Sequence, residues 1–357
     1  MAQTFTKALF ESYALQPENL SDIKEAINRT VYKDEDFNKF VNLVSGVKDN
    51  DPIALLGDID AVGKKGGGCD PQYEEKGIGN SLKRWKLGSW EIPIKICYDS
   101  MKGTIAEYSL NKGTDIGDLT NTDIMVIYAE KLKEAIMRMR WRQAWLGDEN
   151  AQHVDDGGKI TNTVSIDLFT TNDGLFKRIF GQGTANAAQV TAIAANDKAS
   201  PAEQRKAALA KGYMTDLVDT ILMDADTRIV DDPNAVLMLT RSMADALAYD
   251  IKKSYNVIMP WEKIFDGFEV ANYNGVKVAR VGIWDRMLNA YEKGSTVVNK
   301  PYRAVFANPK QLMVGCPEDV VSDLDIFFDR KERRNYIYAT GKVGTALLEE
   351  DMFHAAY

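Results

Sequence analysis

The sequence predicts an α+β protein of two bodies, one of them organised around a single long helix. Apolar residues recur at helical spacing from Asp123 to Leu146, which would form a rod of about 36 Å. Short alternating or continuous apolar runs lie on both sides of this stretch and predict strands. A chain of 357 residues is also longer than one core comfortably accommodates.

The composition excludes several classes of protein. With 45% hydrophobic and 27% charged residues, the chain has the balance of a folded globular protein. The 44 basic and 52 acidic residues give a net charge of −8, which argues against general nucleic-acid binding. No apolar run approaches the ~20 residues of a membrane span, and no secretory signal is expected. Cys69, Cys97 and Cys316 form no C-x-x-C pair and read as reduced thiols.

The long helix has recognisable ends. Thr120 and Asp123 have the spacing of a helix-capping pair, and Gly147 is a stop signal. Trp141 and Trp145 lie off the main apolar stripe. We therefore expect the last two turns to be covered from a second side as well. Nothing in this helix is chemically reactive, so it reads as a scaffold.

The N-terminal segment, residues 1–60, is predicted to be an acidic arm that ends in a first strand. Phe37 and Phe40 fall at helical spacing within Asp34–Val44. A segment this thin can hardly bury them alone, so both are predicted to contact a neighbouring subunit.

Residues 61–98 are predicted to form a flap. An apolar strand, Ile53–Ile59, precedes the glycine-rich, charged stretch Gly63–Trp85, and Trp90–Ile96 alternates like a half-buried strand. Strand, long excursion and strand indicate a two-stranded flap that folds against a partner. The residues predicted to make its intersubunit contacts are Lys64, Lys65, Lys83, Arg84, Trp85 and Trp90. Ordinary core packing is the alternative for the two tryptophans, and a solvated surface is the alternative for Lys83 and Arg84.

The remaining stretches supply further elements. Ser200 caps a helix predicted to run to Asp224 with a weak point at Gly212, and Asn274-Gly275 predicts a type I′ hairpin. A strand is expected at Ala235–Leu239, followed by a helix to Tyr255 capped by Ser242 and Asp245. The other predicted helical segments are Asp99–Leu110 and Leu175–Phe180, and the other predicted strands are Val164–Phe169, Tyr302–Phe306, Leu324–Phe328 and Tyr336–Ala339, the last extendable through Val343–Leu348.

Motifs of catalysis and of cofactor binding are missing from the sequence. The two histidines, His153 and His354, have neither H-E-x-x-H spacing nor a nearby cysteine, and read as satisfied surface residues. Gly63–Gly66 lacks the order of a phosphate loop, and Asp224-Ala225-Asp226 does not continue as a calcium loop. We predict no catalytic, cofactor-binding or metal residues. A carboxylate pair hidden among the many acids stays open.

The order of parts, arm, flap, long helix, α/β insertion and terminal strands, resembles the major capsid proteins of tailed double-stranded DNA phages, with the Hong Kong 97-type fold. Three stretches look like that family's strand–helix pair and closing strands: Ala235–Lys253, Lys300–Gly315 and Tyr336–Phe353. WEIPIKICYDSMKG, DLTNTDIMVIYAEKL and MRWRQAWLGD are similar in style to capsid proteins of crAss-like phages of gut Bacteroidetes.

The resemblance implies a domain plan and a set of partners. Residues 1–60 would be the N-arm and 61–98 the E-loop, 99–156 with 299–357 the peripheral (P) domain including spine helix 123–146, and 157–298 the axial (A) domain. Copies of the chain would form hexamers and pentamers of an icosahedral head around double-stranded DNA. Portal, scaffolding and decoration proteins would be further partners, without a membrane or a cofactor. The protein would assemble in the host bacterial cytoplasm and remain in the virion.

Two alternatives stay open at this point. An encapsulin-like compartment would use the same fold around a protein cargo. An α+β carboxylate-based hydrolase would use the glycine-rich stretch as a lid. Some capsid proteins cross-link a flap lysine to a neighbour's asparagine, but no matching asparagine or acid stands out, so no cross-link is predicted.

Overall fold

The computed structural model describes residues 28, 35–56, 80–96, 123–265, 268–294, 297–332 and 334–357. Most of the predicted arm, the glycine-rich part of the flap and the predicted Asp99–Leu110 helix lie outside these ranges.

Eight α-helices and fourteen strands occur in the described residues. The helices are α1 Glu35–Asn38, α2 Asp123–Leu146, α3 Leu175–Ala185, α4 Pro201–Ala208, α5 Tyr213–Asp224, α6 Thr227–Val230, α7 Arg241–Tyr255 and α8 Gly282–Tyr291. The strands are β1 Asn42–Val44, β2 Pro52–Leu56, β3 Asn80–Arg84, β4 Gly88–Ile96, β5 Val190–Thr191, β6 Val236–Thr240, β7 Glu262–Phe265, β8 Phe268–Tyr273, β9 Val276–Val281, β10 Ala304–Ala307, β11 Leu312–Gly315, β12 Asp323–Asp329, β13 Arg334–Leu347 and β14 Phe353–Ala356.

The long helix α2 has the predicted bounds. Leu132 and Met139 of the predicted stripe are buried, and Trp141 and Trp145 are buried as well. The expectation of a second covered side is therefore confirmed. Trp145 packs edge-on against Trp284 of α8, with ring centroids 4.6 Å apart. The end of α2 lies in the main core of the molecule.

A seven-stranded mixed sheet forms one body, in the order β5-β14-β10-β6-β9-β8-β7. Its central strand β6 places Leu237 and Leu239 against one cluster of apolar residues and Met238 against another. Both faces of the sheet are thus buried. This explains why the strand reads as a continuous apolar run instead of alternating.

A five-stranded sheet forms the second body, with the path β1-β11-β13-β12 and β4 paired to β13. Strand β4 alternates as predicted, with Trp90 and Ile96 buried and Glu91 and Lys95 exposed. The predicted continuation of the last strand is also present, because β13 extends to Leu347.

The C-terminal segment is divided between the two sheets. Strands β10 and β14 pair with each other, and β10 also pairs with β6 of the seven-stranded sheet. Strands β11, β12 and β13 belong to the five-stranded sheet. Residues 299–357 therefore contribute strands to both sheets. Strand β11 lies within Lys300–Gly315, which resembled closing strands, whereas the short strand β14 was not predicted.

Three predictions need correction: one of a helix, one of a strand and one of a helix cap. The helix expected from Ser200 to Asp224 is two helices, because Gly212 adopts a left-handed conformation, φ +79°, between α4 and α5. Ile166–Leu168 is a turn of 3₁₀ helix instead of a strand. Helix α7 is capped by the Asp285 carboxylate, which accepts hydrogen bonds from the Arg241 and Ser242 amides at 2.5 and 3.1 Å.

One predicted cap and one predicted turn that depend on neighbouring residues are confirmed. The Ser200 hydroxyl accepts a hydrogen bond from the Glu203 amide at the start of α4. Asn274 and Gly275 both have positive φ, as a type I′ turn between β8 and β9 requires.

Candidate assembly surfaces

The two arm phenylalanines lie in the core of their own chain. Phe37 packs edge-on against Trp141 with ring centroids 5.2 Å apart, and Phe40 lies 6.2 Å from the same ring. The Arg140 guanidinium stands 4.4 Å from the centre of the Phe37 ring. Phe37 is 0% exposed and Phe40 is 4% exposed. This burial corrects the prediction that both side chains contact a neighbouring subunit.

The same segment joins the five-stranded sheet. Within the predicted helical stretch only α1 is a helix, and it ends at Asn38. Strand β1 follows from Asn42. β1 runs parallel to β11, with Leu43 opposite Val314. Residues 35–44 are therefore an integral part of the body that contains the five-stranded sheet.

The base of the flap is a two-stranded ribbon. β2 pairs antiparallel with β3, from Pro52 opposite Arg84 to Leu56 opposite Asn80. The prediction had paired the first strand with Trp90–Ile96, which instead pairs with β13. The sequence analysis missed β3 because Asn80–Arg84 is polar and sits at the end of the glycine-rich stretch. We use the name flap ribbon for β2 and β3.

The two flap tryptophans are seated on glycines of their own chain. Trp85 covers Gly315, where an added Cβ would come 2.6 Å from the indole ring. Trp90 covers Gly341, where an added Cβ would lie 2.7 Å from the indole Cε2 and still closer to Cζ2. Each indole is 6% exposed. The core-packing alternative is therefore correct for Trp85 and Trp90, and their predicted contact with a neighbour is corrected.

Lys83 binds its own chain, and Arg84 does so in part. The Lys83 ammonium donates to the carbonyl oxygens of Leu347 and Leu348 at 3.0 and 3.2 Å, and pairs with Glu350 at 3.0 Å. Arg84 donates to the Asn50 carbonyl and remains exposed. Lys64 and Lys65 lie outside the described residues.

The flap ribbon has one fastened face and one free face. Ile53 and Lys83 are cross-strand neighbours facing the body, where Ile53 is buried. Pro52, Leu82 and Arg84 share the opposite face and are exposed, Leu82 by 61%. The free face of the flap ribbon thus presents a leucine beside a cation, whereas both tryptophans are buried.

An ion cluster fixes the loop that follows α2. Lys177 binds Asp148 at 2.7 Å and Asp173 at 2.6 Å, and Lys159 pairs with Asp148 at 3.1 Å. Burial alone would raise the pKa of Asp148, but the hydrogen bond from Lys177 and the charge of Lys159 outweigh it, so this pKa lies below its usual value. The pKa of Asp173 is lowered in the same way, mainly by Lys177 against the effect of burial.

This cluster bears on the hydrolase alternative. A general acid needs a carboxyl group whose pKa is raised toward neutrality. Asp148 and Asp173 are shifted in the opposite direction by the lysine between them. Within the described residues, no three His, Cys, Asp or Glu side chains come together as a metal site would need. The pairing of Asp148 and Asp173 around Lys177 is thus a structural ion cluster.

His354 has a different environment from the one predicted. It is 1% exposed on strand β14, and its Nε2 lies 2.8 Å from the Thr191 hydroxyl. Burial lowers the pKa of His354. The sequence offered a signal in the apolar residues around it, FHAA, which form a strand buried on both sides.

None of the helices in the described part of the chain combines the length and the hydrophobicity that crossing a membrane requires.

Comparison with known proteins gives a result for structure but not for sequence. No protein-family model matches the chain, and no curated protein matches it. A chain of the satellite phage P4 procapsid is 11% identical, with a TM-score of 0.51 over 93% of this chain and 98% of that one. The capsid of the empty GTA particle is 12% identical, with a TM-score of 0.50 over 90% and 88%. A chain of Mycobacterium phage Ogopogo is 12% identical, with a TM-score of 0.50 over 90% of each chain.

The chain has the Hong Kong 97-type capsid fold. The likeness extends over nearly the full length of both chains, so it covers both sheets and the long helix together. At this level of identity it establishes the architecture of the capsid fold. The functional residues have to be argued from this chain alone.

Proposed function

We propose that this protein is the major capsid protein of a tailed phage, a structural and non-enzymatic subunit that assembles into hexamers and pentamers of an icosahedral head. The observation that carries the proposal is the full-length likeness to chains of a phage procapsid and of a GTA capsid. Its location would be the virion, after assembly in the host bacterial cytoplasm.

The surface chemistry supports a role in self-association. The flap ribbon is a two-stranded sheet separate from the two larger sheets, and its Leu82 is largely exposed. A two-stranded ribbon is marginally stable without a partner surface. In a closed shell each subunit repeats the same contact many times, so individually weak contacts add up. The intersubunit residues that remain in our proposal are Lys64, Lys65 and Arg84, and we add Leu82 because it is exposed. Lys83 leaves the set, because its ammonium binds its own chain.

The net charge of −8 suits a container for double-stranded DNA. A lining without basic clusters confines the genome without holding its phosphates tightly. Portal, scaffolding and decoration proteins are the further partners of this proposal.

Negative-stain microscopy of the purified protein tests the proposal. We expect shells or curved sheets to form, and a variant lacking residues 66–80 to remain small and soluble. Size-exclusion chromatography with light scattering measures both. A wild-type protein that stays monomeric at high concentration, or a deletion variant that still assembles, would contradict the assignment.

An encapsulin-like compartment is the second candidate, because it would share the fold. Neighbouring terminase, portal and protease genes would indicate a phage, and a neighbouring cargo enzyme would indicate a compartment. Purified particles distinguish the two by their contents, nucleic acid or a single enzyme.

A further inference from the structure

The connection between the flap ribbon and β4 lies in a seat lined by glycines. Residues 85–90 cross three glycines of the five-stranded sheet, Gly315 under Trp85, Gly344 under Lys86 and Leu87, and Gly341 under Trp90. A Cβ added to Gly344 would come 2.8 Å from Leu87 Cδ2 and still closer to the Lys86 carbonyl oxygen. We call these three glycines and the segment 85–90 the glycine seat. The close approach leaves the segment no room to shift toward the sheet.

Polar contacts fasten the same segment from its sides. The Trp85 amide donates to the Asp51 carbonyl at 2.9 Å, and the Asn50 amide donates to the Trp85 carbonyl at 2.8 Å. The Leu87 amide donates to the Asp49 carboxylate at 2.9 Å. The backbone of the connection is therefore bonded to the segment that leads into β2.

A small apolar cluster and Lys83 complete the attachment. Val47, Ile53 and Trp85 pack with Met313 and Ala346 in a cluster separate from the two larger ones. Lys83 binds the last carbonyls of β13 and pairs with Glu350. Glycines, hydrogen bonds, apolar packing and an ion pair thus all act on the root of the ribbon.

We propose that the glycine seat and Lys83 hold the flap ribbon in one orientation in the free protein, so that Pro52, Leu82 and Arg84 meet a second copy as a preformed surface. A surface that is already oriented loses less conformational entropy on association than one that must be ordered by its partner. The second copy is the fitting partner because this face is apolar with an exposed cation, while the chain as a whole carries a net charge of −8. Only the role in assembly rests on the proposed function.

Hydrogen exchange on the free, full-length protein tests the fixed orientation. Lys83→Met removes the ion pair, and Gly344→Ala pushes residues 86 and 87 off the sheet. Each is expected to speed amide exchange in residues 80–88 about tenfold or more and to leave the amides of α2 unchanged. The matched controls are Lys277→Met on β9, whose exposed ammonium donates to the Pro233 carbonyl at 3.1 Å, and Gly181→Ala, where an added Cβ meets nothing within 4 Å.

The possible results test the role of the glycine seat and the proposed function independently. Unprotected ribbon amides in the wild type, or unchanged exchange in Lys83→Met, would overturn the inference. If Gly344→Ala loses protection in α2 as well, it has unfolded and Lys83→Met alone decides. Negative-stain images then test the use in assembly, where we expect the two seat variants to give a broader range of particle diameters than the controls. If the variants show faster ribbon exchange but form particles with an unchanged range of diameters, the role of the glycine seat in assembly is wrong. If the wild type forms no particles, the proposed function is refuted, and the exchange result still stands.

Discussion

At the residue scale, single buried polar groups hold distant segments together. The Asp250 carboxylate on α7 is 1% exposed and accepts hydrogen bonds from the Gly212 and Met214 amides at 2.6 and 2.9 Å. It therefore caps α5 from another helix. Asp285 caps α7 in the same manner. Neither contact has a signature in the sequence, because the donor and the acceptor are about forty residues apart along the chain.

Replacing Asp250 by alanine is expected to lower the free energy of unfolding by about 2–4 kcal/mol, because buried amide donors lose their acceptor. Urea unfolding followed by circular dichroism measures the change. Asp224→Ala, at an exposed position near the end of α5, serves as the control and should change stability by less than about 0.5 kcal/mol. Equal effects of the two substitutions would show that the cap contributes nothing.

The buried His354 should make stability depend on pH. Burial lowers its pKa in the folded state, so the unfolded chain takes up the proton first as the pH falls. Its contribution is fully present above the unfolded value of about 6.5 and is lost as the pH falls toward the folded pKa. Urea unfolding at pH 7.5 and pH 5.5 should show a smaller loss for His354→Gln than for the wild type. An unchanged loss in His354→Gln would exclude this histidine as the cause.

At the scale of elements, glycines decide where helices and strands stop or approach each other. Gly212 separates α4 from α5 with a φ of +79°, although the apolar spacing continues through both helices. The sequence predicted a weak point here, because glycine destabilises the middle of a helix. It did not predict that the helix would be divided into two. The outcome depends on Asp250, which offers the second helix a cap at this point.

Gly212→Ala is expected to destabilise the protein by about 1–2 kcal/mol, because an L-residue with a side chain is strained in the left-handed region. Gly181→Ala lies within helix α3 with open space around it, and should be neutral or stabilising by up to about 1 kcal/mol. Thermal unfolding of the two variants side by side gives the comparison. A continuous α4–α5 helix formed without loss of stability in Gly212→Ala would contradict this reading.

At the scale of the whole molecule, the two sheets and α2 share one core. Buried residues of α2, of the seven-stranded sheet and of the five-stranded sheet belong to the same cluster. The C-terminal segment crosses between the sheets, with β10 and β14 in one and β11 to β13 in the other. The two sheets are therefore joined through a shared core, and the flap ribbon is a separate two-stranded sheet with Leu82 exposed.

The free subunit should bind double-stranded DNA weakly at physiological salt. Its net charge is −8, and binding to DNA depends on neutralising phosphates with basic side chains. In an electrophoretic mobility shift assay at about 0.15 M salt we expect no complex below roughly 10 µM protein. This affinity would be weaker than that of the tighter non-specific DNA-binding proteins. A salt-sensitive complex at lower concentration would mean that the lining holds the genome by its phosphates.

The sequence by itself determined the elements whose signals are local. The bounds of α2, the Ser200 cap, the Asn274-Gly275 hairpin and the alternation of β4 all follow from residues within a few positions of each other. The order of these elements along the chain also indicated the capsid fold, because that order can be read directly from the sequence.

Only the tertiary structure decided which surfaces remain free. Phe37, Phe40, Trp85 and Trp90 looked like contacts for a neighbour, because the stretches around them are too thin or too rich in glycine to bury them. Their partners, Trp141, Gly315 and Gly341, are distant in sequence. Burial depends on which residues the folded chain brings into contact. The four aromatic side chains are therefore buried in the core, whereas Pro52, Leu82 and Arg84 are exposed on the flap ribbon.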